Sequence, residues 1–343
     1  MNLKPTMEGH QIGLSCGDIE FAMVNAVVYS INSFHAGVPL DTIEADVKHL
    51  QELWVMFRQP IHKHVIILLL QQVLNLRQHY QSNDHDQQPP WILTGSVCNE
   101  ATMMKEAQES NNVMSLFNFY FRKMWMAYVF NNYTIAYEMA VKGRDITTPA
   151  AFSVFSHIFF EGMTCAAITM ERRIGNPIVD SRGKKDTATR RMKRKKYLRR
   201  AKQCLKIMRK TANHCKLNCL NKVLLLEAEL IVSKGGNNTL DQALALYEQS
   251  ASLSKQEGFM HERALSYERA GMAVMYYYAY HQGHVDRIRT READKAKADA
   301  YINKSISLYR LWGATAKVEQ MTQKYHGHIS LFSCRIETNP RYQ

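Results

Sequence analysis

Apolar residues along this chain recur at steps of three and four, and no strand-type alternation extends over more than a few residues. The first stretch runs GDIEFAMVNAVVYSINSFHAG over 17–37, with Asp18 placed to cap its start and Gly37 to stop it. Pro39 opens a second helix ahead of LDTIEADVKHLQELWVMFRQ, and Pro60 a third ahead of IHKHVIILLLQQVLNLRQHY, at the position where an N–H would be orphaned anyway. Residues 1–16 read as a loose lead-in, and the polar QSNDHDQQPPW over 81–91 as a surface loop. A short helix over Glu100–Glu109 follows, then SLFNFYFRKMWMAYVF and NNYTIAYEMAVKG, which the pattern pairs as a hairpin. AAFSVFSHIFFEGMTCAAITMERR is apolar on almost every side, which predicts burial against more than one neighbour.

A second break at 175–187 contains Gly175, Pro177 and Gly183, and a strongly basic helix runs from it to about Lys210. Beyond that, KLNCLNKVLLLEAELIVSKGG sets Leu217, Leu220, Leu224, Ala228 and Ile231 in one stripe. TLDQALALYEQSASLSKQEG sets Ala243, Tyr247 and Ala251 in another, with Gly258 as its stop. The clearest pattern lies between His261 and Tyr325, where small and large residues alternate at helical spacing: Ala264, Tyr267, Gly271, Met275 and Tyr278, then Ala298, Tyr301, Ser305, Leu308 and Trp312. Small residues let two helices approach closely, and large ones fill the groove between them. Residues 221–258 and 261–313 are thus two degenerate copies of a helix–turn–helix unit, the second with HVDRIRTREADKAK inserted between its helices. The predicted fold is all-α, a tetratricopeptide-like helical-repeat array (α-solenoid) of antiparallel helix pairs. Its expected divisions are the lead-in 1–16, an N-terminal helical half 17–174, a loop and basic helix 175–214, C-terminal repeats 215–326 and a tail 327–343.

Charge changes this picture at one place. The formal net charge is +13, yet residues 182–210 hold fifteen Lys/Arg and a single acid, Asp186, so the remainder is nearly neutral. Seven scattered cysteines, at 16, 98, 165, 204, 215, 219 and 334, suggest reduced thiols in a cytoplasmic protein. The longest unbroken apolar run, Val65 to Leu70, is too short to span a bilayer, and residues 1–17 lack a secretory pattern. The basic run adds nuclear import as an alternative address.

Several segments carry a resemblance. HERALSYERAG (261–271), DAYINKSISLYRLWGATAKVEQM (299–321), NKVLLLEAEL (221–230) and ALALYEQSASLSKQEGF (243–259) follow GDIEFA (17–22), FHAGVPL (34–40), WILTGSVCNE (91–100) and FFEGMTCAAI (159–168). Together they resemble the long helical region of multidomain signalling proteins that join a serine/threonine kinase, a P-loop ATPase and a sensor histidine kinase. In that family the helical repeats lie between the ATPase and the output domains. The resemblance covers about residues 17–325, and WGATAK is its most specific element. It implies a scaffold in intracellular signal transduction, with a signalling kinase or ATPase as partner, or a detached piece of such an enzyme. It brings no catalysis. The chain has no Gly-x-x-x-x-Gly-Lys-Ser/Thr loop, because Gly183-Lys184 lacks the earlier glycine and is followed by Lys185. Protein-kinase signatures and a histidine-kinase phospho-acceptor setting are also absent from the sequence.

The candidate partner-binding patch is Arg190, Arg191, Lys193, Arg194, Lys195, Lys196, Arg199, Arg200 and Lys202. It suits an acidic protein partner, or nucleic-acid phosphates over 190–210 with Tyr197 available to stack. The candidate peptide groove is Tyr276, Tyr277 and Tyr280, from a tyrosine run that encircles its helix. His214, Cys215 and Cys219 have partial metal-ligand spacing without a second pair, and His62, His64, His79 and His85 read as surface or helix-end histidines. Glu227 and Glu229 fall on different faces, so no acid–base pair arises there. The sequence therefore assigns no catalytic, cofactor-binding or metal-binding residue, and the expected function is a non-catalytic interaction module that binds a protein or peptide.

Overall fold

The computed structural model describes residues 3–57, 63–80, 88–146, 151–174, 187–235, 239–280 and 288–325. Among these the chain forms fourteen α-helices and no strand: α1 (Lys4–Cys16), α2 (Ile19–Ala36), α3 (Leu40–Phe57), α4 (Lys63–Arg77), α5 (Glu100–Glu109), α6 (Val113–Val129), α7 (Tyr133–Arg144), α8 (Ala151–Ile174), α9 (Thr187–Ala212), α10 (Lys216–Lys234), α11 (Thr239–Gln256), α12 (Met260–Tyr280), α13 (Ile288–Trp312) and α14 (Thr315–Lys324). Pro60, His62, His85 and the tail from 326 lie outside the described residues.

Local chemistry sets the helix boundaries. Asp18 accepts a hydrogen bond from the Phe21 N–H at 3.2 Å and so caps α2, as its position in the sequence predicts. Two Asn-Asn doublets make matching turns. Asn111 and Asn131 adopt positive φ, while Asn112 and Asn132 cap α6 and α7 by accepting from Ser115 and Ile135. In each turn the second Asn N–H reaches back five residues, to Ala107 O at 2.9 Å and to Ala127 O at 2.8 Å. The predicted stops Gly37 and Gly258, and Gly313 after α13, close their helices through the same left-handed conformation. The helices form an all-α array of adjacent pairs: α1 with α2, α3 with α4, α6 with α7, α8 with α9, α10 with α11 and α12 with α13.

The small-residue pattern packs as predicted. On α12 and α13, Ala264, Ala298 and Ser305 are fully buried or nearly so, and the Tyr267 and Tyr301 rings stack with centroids 6.2 Å apart. A methyl group at Gly271 would lie 2.8 Å from Ile302 Cδ1, so glycine is what permits the approach. Near-complete burial of α8 also matches its all-round apolar sequence, since α7, α9, α10 and α12 all pack on it.

Three expectations are corrected. The supposed lead-in contains helix α1, whose Gly9 and Gly13 allow close packing on α2; a Cβ at Gly13 would meet Ala22 Cα at 2.9 Å. Of the stripe proposed for α10 only Ala228 is fully buried: Leu217 is 68% exposed and Leu220, Leu224 and Ile231 are only half-buried. Burial falls instead on Cys219, Lys222, Val223, Leu226, Glu229, Leu230 and Ser233, about one position round the helix, because paired polar side chains occupy the interior. The inserted segment is likewise no simple loop, as helix α13 already begins at Ile288.

The two halves of the chain pack together rather than extending as an open rod. Helix α14 lies against α4, Trp312 Nε1 donates to Val38 O at 2.9 Å, and Glu319 accepts from the Tyr80 N–H. A continuous hydrophobic core runs from Ala22 to Tyr325. Trp54, Trp125 and Trp312 belong to it and Trp91 packs at its edge, as expected of them.

Candidate interaction surfaces

Helix α9 places its charges on two distinct faces. Ala201, Cys204, Leu205, Met208 and Ala212 are buried toward the neighbouring helices α8 and α10. That leaves Lys193, Lys195, Lys196, Arg199, Lys202, Lys206 and Lys210 exposed, and none of them forms an ion pair among the described residues. From Lys195 to Lys210 the exposed face extends about 22 Å at 1.5 Å per residue.

Two members of the predicted patch turn inward and leave it. Arg200 donates to both carboxylate oxygens of Glu161, at 2.8 and 2.6 Å, and Arg144 donates to the same carboxylate from the other side. Burial opposes the charge on Glu161, but the two guanidinium groups outweigh it and hold the carboxyl below its usual range. Arg194 donates to the Ser233 carbonyl at 3.1 Å. Arg209 is paired with Glu227 at 2.6 Å. The side chains of Arg190 and Arg191 lie outside the described residues. Tyr197 does not offer a free ring for base stacking, being half-buried and edge-on to Tyr137 at 4.9 Å.

Of the proposed tyrosine groove, two side chains are described. Tyr276 and Tyr277 are half-buried, and the side chain of Tyr280 lies outside the described residues. Burial raises the Tyr276 phenol pKa and Arg269 opposes the rise, so this ring feels the interior polar network.

That network is what sequence reasoning missed. Glu229 receives two bonds from Arg269, at 2.8 and 2.7 Å, and one from Tyr247 OH at 2.6 Å, while Arg269 Nη1 also donates to Tyr133 OH. The adjacent Glu268 instead pairs with Lys317 at 2.7 Å and accepts from Tyr309 OH. Lys317 further donates to Val129 O at 2.6 Å, setting a cation on the C-terminal end of α6 where the helix dipole favours it. Glu262 holds Lys222 and Asn221. Each of these carboxylates is at most 3% exposed and each is fully occupied by partners, so the arrangement ties α6, α7, α10, α11, α12, α13 and α14 together. The residues that carry the resemblance, Glu262, Glu268, Arg269, Trp312 and Lys317, are therefore interior framework.

Other candidates resolve as packing. Cys219 is buried and its thiol is pushed up to about 12, chiefly by burial, while His214 is exposed. No group of three or more His, Cys, Asp or Glu has metal-binding geometry among the described residues. His79 meets Glu319 at 2.6 Å on the surface and His64 meets Glu106 at 3.2 Å, both near helix ends. The buried histidines are others: His10, which bonds Ala22 O at 2.8 Å, and His35, His157 and His261. No described helix is long and apolar enough to cross a membrane. No protein-family model, curated protein or solved structure matches the chain.

Proposed function

We propose that the chain is a non-catalytic helical-repeat interaction module that docks an acidic protein segment on the outer face of α9. The unpaired cations of that face carry the proposal. Elsewhere the buried carboxylates Glu161, Glu229, Glu262 and Glu268 are each held by cations, and none of them faces solvent. A row of exposed lysines without partners gains from a neighbouring polyanion and loses little by standing free. The face would take an extended segment of about seven residues at roughly 3.3 Å each. Tyr197 is engaged by Tyr137, so the face offers charge without a stacking platform, which favours an acidic peptide over single-stranded nucleic acid. The sequence resemblance to kinase–ATPase signalling proteins supports a partner from intracellular signalling.

The test is fluorescence anisotropy of a labelled Glu/Asp-rich peptide, with an unlabelled oligonucleotide of equal charge as competitor. Saturable binding that weakens as salt rises and survives the competitor supports the module. Absence of binding at low salt, or complete displacement by the oligonucleotide at equal concentration, overturns the acidic-peptide assignment.

A further inference from the structure

Among the described residues, four cations are almost wholly buried: Arg122, Lys222, Arg269 and Lys317. Three of them have a carboxylate within 2.8 Å, namely Glu262, Glu229 and Glu268. Arg122 has none among the described residues. Its guanidinium makes one bond, from Nη1 to Gln72 Oε1 at 2.7 Å, and Arg122 Nε and Gln72 Nε2 are both buried without an acceptor. Two orphaned donors therefore belong to one hydrogen-bonded pair of side chains, on α6 and α4, each with a hydrogen to give.

The surroundings sharpen the deficit. His35 on α2 lies close enough to Arg122, Lys222 and His261 for each to oppose its protonation, though burial is the larger cause of its low pKa. The carboxylate on this side, Glu262, is already committed to Lys222 and Asn221. Burial pushes Arg122 down to about 9, so it is still a cation at neutral pH. A buried charge without a counter-charge costs several kcal/mol, and an unsatisfied donor pair adds to it.

We propose that Arg122 and Gln72 form a buried binding site for a small inorganic anion of chloride size. Arg122, Gln72 and His35 are 2%, 1% and 5% exposed, which leaves no passage for a phosphate ester or a side chain. The anion would accept from Arg122 Nε and Gln72 Nε2, supplying at this junction of α2, α4 and α6 the negative charge that Glu229 and Glu268 supply elsewhere. A ligand bound only by the folded state raises its stability with concentration, so the site makes folding chloride-dependent.

The test is thermal unfolding of the full chain as chloride replaces gluconate at constant ionic strength, for the wild type and R122M. The expected result is a midpoint that climbs by several degrees with chloride in the wild type and stays level in R122M, which is the more stable of the two without chloride. Equal chloride dependence in both proteins, or none in the wild type, overturns the site. Crystals of the wild type soaked in bromide decide the matter independently of how R122M folds. An anomalous peak within hydrogen-bonding distance of Arg122 Nε and Gln72 Nε2 supports the site, and density without anomalous signal there means a water and overturns it.

Discussion

Two regions of this molecule are rich in charge, and they use it in opposite ways. In the interior, Glu229, Arg269, Glu268 and Lys317 are almost fully buried and matched, carboxylate to cation, through short hydrogen bonds. On the outer face of α9, lysines stand exposed at helical spacing and form no ion pair among the described residues. The first arrangement orders the helices; the second is the face proposed to take a partner. What separates framework from recognition here is pairing and exposure, since both regions contain the same residue types.

Breaking the interior pairs should have the largest effect. Arg269→Ala leaves Glu229 buried with only Tyr247 to donate, and should lower stability by about 3–5 kcal/mol in urea unfolding. The joint replacement Glu229→Leu with Arg269→Met should cost far less, because no charge is left stranded. Equal losses in the single and joint variants would mean that the pair's worth lies in packing instead of charge.

Acid should act on the interior next. His157 and His261 are pushed down to about 4, mainly by burial, from an ordinary value of 6.5. Between those values the unfolded chain takes up protons that the folded chain refuses, so stability present above pH 6.5 falls as pH drops toward 4. Each histidine contributes up to roughly 3 kcal/mol across that window. Urea midpoints at neutral pH and near pH 5 should differ in the wild type, and His261→Gln should flatten the difference. An unchanged slope in that variant would remove His261 from the account.

The junction between the chain's halves gives a smaller and more specific effect. Gly17 and Gly37 have nearly the same φ, +77° and +78°, but a Cβ at Gly17 meets nothing within 4 Å while one at Gly37 lies 2.7 Å from Met260 N. Gly17→Ala should cost about 1–2 kcal/mol for the left-handed backbone alone. Gly37→Ala should cost about 1–3 kcal/mol beyond that, as α12 is pushed away. Equal denaturation midpoints for the two variants would show that the halves are not held together at this contact.

The contrast between regions also explains what could be read in the sequence. Helix starts and stops were legible wherever the signal is local: Asp18 caps from three residues away, and glycines end helices by their own conformation. Small–large alternation on α12 and α13 was legible for the same reason. The interior pairs were not, because Glu229 and Arg269 lie 40 residues apart and Lys317 meets a carbonyl 188 residues earlier. Those partners also displaced the stripe on α10, where Lys222 and Glu229 point inward and Leu217 outward. Helix α1 was obscured by glycines that look like breakers and serve as contact points. On α9 the sequence located the basic run, but only packing showed that Arg194 and Arg200 belong to the framework and not to the exposed face.

That division of α9 is the central claim, and charge reversal on its outer face tests it directly. The variant carrying Lys195→Glu, Lys196→Glu, Arg199→Glu and Lys202→Glu should keep its urea midpoint within about 0.5 kcal/mol of the wild type, as exposed charges carry little stability. The same variant should lose binding to the acidic peptide. Retained binding, or unfolding as severe as that of Arg269→Ala, would contradict the account.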